Sequence, residues 1–397
     1  MLIKELKPNV YYVGVNDRKT HLFENLWPIP HGVSYNSYII KDEKTALFDT
    51  VEIGQSSVFI KKVLNVLDGR DLDYLIVNHM EPDHGGSIEI LLRYFPNVTI
   101  VGNKKTFGML EGYFPSLEVK KLEVKEGDSL SLGHHELNFY MAPMVHWPEV
   151  MVTYESTENI LFSADAFGTF GTIDGGILDT ELDLVKYEGE MRRYYSNIVG
   201  KYGSPVQKAL RKLSALNIEM ICSLHGPVWT EDIARVVGLY DTWSKYEPEE
   251  EGVVIAYGSM YGNTEEMAER VARSLSINGV KKIVMHDVSK SHPSYILSDI
   301  FRYSGLILAS PTYCNELYPE IESLLHKIKI RSITKRTFSY FGSFTWADAT
   351  NKSFKVFAED MKWDVIGIPF AEKMALKEEK TKMAEELGRV MAEAILQ

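Results

Sequence analysis

An α/β fold in two domains is what this 397-residue chain predicts, on three observations. The length exceeds what one hydrophobic core usually fills. Up to about residue 250, short β-rich runs mix with helical periodicities, the pattern of mixed sheets packed with helices. Beyond it, five strand-like runs alternate with five helical ones, which describes an open, doubly wound parallel sheet. The short acidic stretch from Tyr246 to Gly252, with Pro248 inside it, breaks the apolar periodicity and reads as the linker. Domains are therefore expected at 1–248 and 249–397.

In the first domain the β-like runs are Tyr35 to Ile40, Thr45 to Phe48, Tyr74 to Val77, Val98 to Val101, Glu136 to Met141, Val150 to Tyr154, Ile160 to Phe162 and Met220 to Ser223. Helical patterns fall at Ser56 to Leu67, Ser87 to Phe95 and Leu182 to Leu216. In the second, strands are expected at Val253 to Tyr257, Lys282 to His286, Gly305 to Ala309, Thr337 to Gly342 and Val365 to Pro369. Helices follow from Thr264, Ser294, Tyr318, Ser353 and Lys380.

Composition narrows the function classes. With 45% hydrophobic and 25% charged residues, both domains can bury ordinary cores. The formal net charge of −12 and the lack of a basic patch argue against a nucleic-acid partner. Cys222 and Cys314 are the only cysteines, too few for a disulfide framework, a cysteine-rich zinc site or an iron–sulfur cluster. A reducing cytoplasm is the expected location. The N-terminus lacks an extended apolar signal region, and no run is long enough to span a bilayer, so no membrane association is expected.

The densest chemistry lies in His79-Met80-Glu81-Pro82-Asp83-His84, directly behind the run Tyr74 to Val77. Two imidazoles and two carboxylates within six residues need partners if buried, and shared cations supply them. His146, Asp165 and His225 each follow another β-like run, so strand ends deliver seven ligand-type residues to one edge. Four imidazoles and three carboxylates without thiolate suit non-haem iron, manganese or a two-metal hydrolase better than structural zinc. Asp49, behind Thr45 to Phe48, is a candidate acceptor for a ligand histidine, with a turn aspartate as the alternative. His31 and Tyr195 are candidates to line the pocket, against ordinary packing.

The run resembles the metallo-β-lactamase superfamily, whose hydrolases carry His-x-His-x-Asp-His here, and whose fold is an αββα sandwich. Glu81 stands in place of the second histidine, and in that the chain resembles the flavodiiron proteins, over nearly its whole length. The resemblance implies that His79, Glu81 and His146 hold one iron, that Asp83, His84 and His225 hold the other, and that Asp165 bridges them.

In the second domain, Gly258-Ser259-Met260-Tyr261-Gly262-Asn263-Thr264 joins a strand to a helix. Small and hydroxyl-bearing residues there make an anion cradle from backbone N–H groups and the helix dipole. Neither a dinucleotide glycine pattern nor a P-loop lysine is present, which favours a mononucleotide phosphate. Two more loops, Ser310-Pro311-Thr312-Tyr313-Cys314-Asn315 and Ser343-Phe344-Thr345-Trp346-Ala347, follow the third and fourth strands. Tyr313 and Trp346 could each cover a flavin face. This half resembles flavodoxin, which implies FMN. It departs from flavodiiron relatives at Thr345, where a glycine often precedes the loop tryptophan.

Together the resemblances imply a reductase that passes electrons from an external donor through FMN to two irons, reducing dioxygen to water or nitric oxide to nitrous oxide. A domain of some 250 residues has a radius of gyration of about 18 Å, so iron and FMN sites can lie far apart in one chain. The family's solution, a head-to-tail homodimer or a dimer of such dimers, is expected here. No rubredoxin-like Cys-x-x-Cys segment is fused, so a separate rubredoxin-like donor is expected. The alternatives are a zinc hydrolase with a regulatory flavodoxin domain and a non-catalytic gas sensor.

Overall fold

The computed structural model describes residues 3–396. They form two compact units: the chain up to Tyr195 with Ser204–Asp241, and Ser196–Gly203 with the chain from Thr242 onward.

Two facing sheets build the first unit. One orders its strands Lys4–Lys7, Val10–Tyr12, Tyr38–Lys41, Thr45–Phe48, Tyr74–Ile76, Thr99–Gly102 and Lys120–Glu123. Its pairings are antiparallel as far as Thr45–Phe48 and parallel from there on. The other orders Ser129–Ser131, Glu136–Met141, Met151–Glu155, Ile160–Phe162 and Met220–Cys222, and its last pair is parallel.

Side chains alternate between the faces of each strand. Ala46, Phe48 and Ile76 of one sheet therefore meet Phe139, Ile160, Phe162 and Cys222 of the other in a shared core. Phe48 and Phe162 stack across it with centroids 3.8 Å apart. The intervening Leu161 and Ile221 are buried on the opposite face. There they line a cavity with Leu210 and Leu213 of helix Gly203–Leu213 and Val237 of helix Ile233–Ser244. The unit is an αββα sandwich.

The second unit is a parallel sheet ordered Ile283–Asp287, Glu250–Tyr257, Tyr303–Tyr313, Thr337–Phe344 and Phe370–Lys373, the doubly wound order 2-1-3-4-5. Val253, Val254, Ile255 and Ala256 are all buried, as a strand covered by helices on both faces requires. Met267, Ala268 and Val271 of helix Asn263–Ile277 and Leu387 and Met391 of helix Glu378–Ile395 pack on the face of Val253 and Ile255. Among the described residues no helix is long and apolar enough to cross a membrane.

Several elements differ from the sequence expectation: Ser310 to Tyr313 and Ser343 to Phe344, expected in loops, continue strands Tyr303–Tyr313 and Thr337–Phe344, and three other elements change the path of the chain. The run Tyr35 to Ile40 is two strands, Val33–Tyr35 and Tyr38–Lys41, in different sheets. Between them Asn36 turns away, its side-chain amide donating to the carbonyls of Ser223 and Gly226, both at 2.9 Å. The run Leu182 to Leu216 divides into helices Leu184–Tyr194 and Gly203–Leu213 with a π-helical turn, Tyr195–Val199, between them. The fifth strand of the second unit is Phe370–Lys373 rather than Val365 to Pro369. Val365 makes only an isolated bridge to Phe338, and Gly367 at φ +67° bends the chain before regular pairing resumes.

Because Phe162 fills the space between both sheets, Phe162→Ala leaves a cavity neither can close. A loss of about 3–5 kcal/mol is expected, read as a lower unfolding midpoint of the first unit in calorimetry or urea titration.

Candidate metal centre and cofactor cradle

The parallel strand Tyr74–Ile76 lies between Thr45–Phe48 and Thr99–Gly102, and its carboxyl end runs into His79. Asp49, buried and at φ +53°, anchors that exit: its carboxylate accepts the N–H groups of Asn78 at 2.8 Å and His79 at 3.0 Å. Burial pushes its carboxyl up to about 6. Asp49 thus holds ligand backbone and touches no ligand imidazole by hydrogen bond. Glu81 then precedes the four-residue helix Pro82–Gly85, in which Pro82 takes the first position, where no N–H is needed. That single turn presents Asp83 and His84 beside His79. Asp165 sits on a tight turn between Ala164 and Phe167, both at positive φ, after strand Ile160–Phe162. His225 follows Met220–Cys222, and His146 lies in the loop between Glu136–Met141 and Met151–Glu155.

All seven ligand-type residues read from the sequence meet at this edge, in two groups. His79, Glu81, His146 and Asp165 form one, and Asp83, His84 and His225 the other, with the ligand atoms of each group within 4.8 Å of one another. Asp165 spans both. Its Oδ2 lies 3.5 Å from His79 Nε2 and 3.3 Å from His146 Nε2, while its Oδ1 lies 3.2 Å from His84 Nε2 and 3.8 Å from His225 Nε2. Glu81 Oε2 faces the first pair, at 3.2 Å from His79 and 3.1 Å from His146. Asp83 Oδ2 faces the second, at 3.2 Å from His84 and 3.3 Å from His225.

The residues behind the imidazoles set their tautomers. His79 Nδ1 lies 2.8 Å from Glu149 Oε1, an acceptor only, so Nδ1 carries a hydrogen and Nε2 is the nitrogen turned to Glu81 and Asp165. His225 Nδ1 donates to the Ser34 carbonyl at 2.7 Å, and its Nε2 is turned to Asp83 and Asp165. The Tyr194 hydroxyl donates to Asp165 Oδ2 at 2.8 Å. Phe23 and Tyr35 pack edge-on against His225, and Trp147 against His79.

This donor set fits two cations. Asp83 Oδ1 and Oδ2, Asp165 Oδ1 and His146 Nε2 are buried without a hydrogen-bond partner, a costly state unless an ion completes them. His84 Nε2 and His225 Nε2 are 3.1 Å apart, and two lone pairs at that distance require a proton or a metal. Burial opposes charge on these rings, yet the facing carboxylates raise His84 to about 10 and His146 to about 9. Burial likewise disfavours the anions, yet the imidazoles hold Asp83 and Asp165 below the ordinary carboxylate range.

Sequence reading passed over Phe23 and Tyr35, which pack against His225, and five further residues here. Glu149, three after His146, had a short acidic spacing as its signal. Ser34 acts through a carbonyl and had none. Tyr194, rather than its neighbour Tyr195, reaches Asp165, because helical phase decides between them; Tyr195 is buried with its ring against Tyr240. Trp147 and Glu24 complete the five. Glu24 is an exposed residue at φ +51° whose carboxyl meets that of Glu81 and is pushed up to about 7, by desolvation first and then by the Glu81 charge. The His31 side chain is exposed, and its carbonyl accepts the Thr172 N–H.

In the second unit, Ser259, Met260, Tyr261, Asn263, Thr264, Pro311, Thr312, Ser343, Phe344 and Thr345 line a cavity of about 90 Å³ at the start of helix Asn263–Ile277. Met374, which the sequence reading missed, joins them. Such a volume takes a phosphate group and not a three-ring flavin. Gly262 at φ +91° shapes the loop, and the Thr264 and Ser343 hydroxyls meet at 2.8 Å. Gly262, Tyr313, Cys314, Asn315, Trp346 and Ala347 stand outside this lining. Cys314 and Asn315, both at positive φ, form the two-residue turn of a hairpin that pairs Tyr313 with Glu316. Tyr261 and Trp346 are 92% and 82% exposed, large aromatic faces left open beside the cradle.

Residues 33–226 match the family described as ODP family beta lactamase, and residues 255–365 match flavodoxin. The chain is 32% identical over 395 residues to an uncharacterized protein of Methanocaldococcus jannaschii, covering 99% of each. It is 32% identical over 346 residues to the anaerobic nitric oxide reductase flavorubredoxin of Vibrio vulnificus, covering 86% of this chain and 70% of that one. Among solved structures, rubredoxin oxygen:oxidoreductase from Desulfovibrio gigas superposes with a TM-score of 0.94 at 28% identity, covering 100% of this chain and 99% of that one. The flavodiiron protein of Giardia intestinalis gives 0.94 at 27% identity, covering 100% and 97%.

Two outcomes follow from the geometry. Glu149→Ala removes the acceptor that orients His79, and a loss of about 10–100-fold in metal affinity is expected by titration of the metal-free protein. Histidines whose folded pKa lies near 9 and 10, against an ordinary 6.5, add stability that is complete below 6.5 and lost as pH rises through 9 to 10. The melting temperature of chelator-treated protein is therefore expected to fall across that window, and that of metal-loaded protein to fall less.

Proposed function

The chain belongs to the flavodiiron proteins, and from that premise we propose that it reduces dioxygen to water, nitric oxide to nitrous oxide, or both, in the cytoplasm, with electrons from a separate rubredoxin-like protein. It is an oxidoreductase whose cofactors are FMN and two non-haem irons. We further propose that His79, Glu81 and His146 hold one iron and Asp83, His84 and His225 the other, with Asp165 shared, and that the functional division lies at 248/249.

One observation carries this reading: the two oxygens of Asp165 each face a separate pair of imidazole nitrogens. When bound, the irons supply open coordination positions and a change of redox state, and FMN supplies electron exchange singly or in pairs. The chain's own task is positional. Glu149 and the Ser34 carbonyl each hold the Nδ1 side of an imidazole and so turn its Nε2 toward the ions, and Tyr194 fixes the shared carboxylate. Phe23, Tyr35 and Trp147 pack water away from the imidazoles. Glu81 gives the first set one more anionic oxygen than a histidine would, which favours the ferric state.

Ser259, Thr264 and Ser343 at the helix start suit the FMN phosphate, and the open faces of Tyr261 and Trp346 suit a flavin ring outside the 90 Å³ cradle. The same open aromatics support a head-to-tail homodimer in which one subunit's FMN serves the other's irons.

Anaerobic stopped-flow of the reduced protein against each gas, with iron and FMN quantified on the same sample, tests this. Rapid oxidation by at least one gas is expected in wild type. In His84→Ala and Asp165→Ala, oxidant consumption is expected to vanish while flavin absorbance stays. Two zinc ions with ester hydrolysis, or loss of FMN in either variant, would overturn it.

A further inference from the structure

A second cavity in the first unit adjoins the ligand loops. About 20 Å³ in volume, it is walled by Ala142, Val145, Ala166, Val206 and Ala209, among others. Val145 directly precedes His146, and Ala166 directly follows Asp165, so its inner wall belongs to two ligand-bearing loops. Its outer wall consists of Leu161, Phe167, Leu210 and Leu213, and these same four residues line the surface cavity of about 750 Å³ beside helices Gly203–Leu213 and Ile233–Ser244. Apolar side chains thus run from the surface to Val145 and Ala166, the chain neighbours of His146 and Asp165.

Size and polarity select the occupant. The inner cavity holds about one small molecule, and a water there needs 2–4 polar partners. Ser163 and Tyr240 are the polar side chains in the lining. The Ser163 hydroxyl already donates to the Ala166 carbonyl at 2.8 Å, which leaves the Tyr240 phenol as the other polar side chain in the lining, fewer groups than a water needs. Small apolar cavities stay dry and bind xenon or other apolar guests. A diatomic gas has that size and polarity.

We propose that this cavity binds an apolar diatomic gas and that the Leu161, Phe167, Leu210 and Leu213 gate admits it from the surface to the ligand-bearing loops of the metal centre. Binding stands on the cavity alone; a role in delivery rests on the reductase reading above.

The test uses the whole protein with xenon as probe. Crystals pressurised with xenon are expected to show it between Val145, Ala166 and Leu210, with or without bound iron. Leu210→Trp closes the gate, and Ala209→Leu fills the cavity if the tryptophan variant does not fold. Either is expected to exclude xenon and to raise KM for dioxygen or nitric oxide several-fold with kcat at saturating gas unchanged. A wild-type cavity without xenon would overturn the site. An unchanged KM in a folded variant that excludes xenon would overturn the delivery role. Wild-type protein that binds xenon there yet consumes neither gas would sink the reductase reading and the delivery role, leaving the binding site standing.

Discussion

Everything in the first unit answers to one buried carboxylate that faces four imidazoles. Asp165 is 1% exposed, and its oxygens point at histidines from three separate chain segments. Burying that much potential charge is unfavourable by itself, so the cluster must be compensated, and two shared cations do so with the fewest added parts. The remaining architecture can be read as the means of holding those segments still. Two sheets end at the same edge, Asp49 clamps the exit of one strand, and paired left-handed residues fold the Asp165 turn.

The layer behind the ligands decides chemistry as much as the ligands do. An imidazole binds metal only through an unprotonated nitrogen, and Glu149 and the Ser34 carbonyl each claim the other nitrogen. At position 81 a carboxylate stands where the hydrolase pattern has a histidine, which moves the site from Lewis-acid hydrolysis toward iron and redox change. The flavodoxin-like second unit gives that change a partner, since flavin and iron exchange electrons where zinc cannot.

How much of this was legible in the sequence depended on distance along the chain. His79 to His84 lay within six residues, and His146, Asp165 and His225 each followed a strand, so period and position exposed them. Glu149 and Ser34 act from loops whose proximity only the fold creates, and the choice of Tyr194 over Tyr195 hangs on helical phase. The doubly wound sheet was legible from its alternation, yet its last strand shifted because Gly367 bends the chain before Phe370. The single run Tyr35 to Ile40 hid two strands, because the break comes from Asn36 bonding to residues 187 and 190 positions away. Likewise the hairpin turn at Cys314 and Asn315 was read as open loop, since the return strand it leads to, Glu316–Leu317, is only two residues long.

The central claim is that Asp165 joins two irons. Diffraction from iron-loaded crystals at the iron absorption edge tests it most directly. Two anomalous peaks about 3.5–4 Å apart, one beside each Asp165 oxygen, are the expected result. A single peak, or two that shift to the zinc edge, would contradict it.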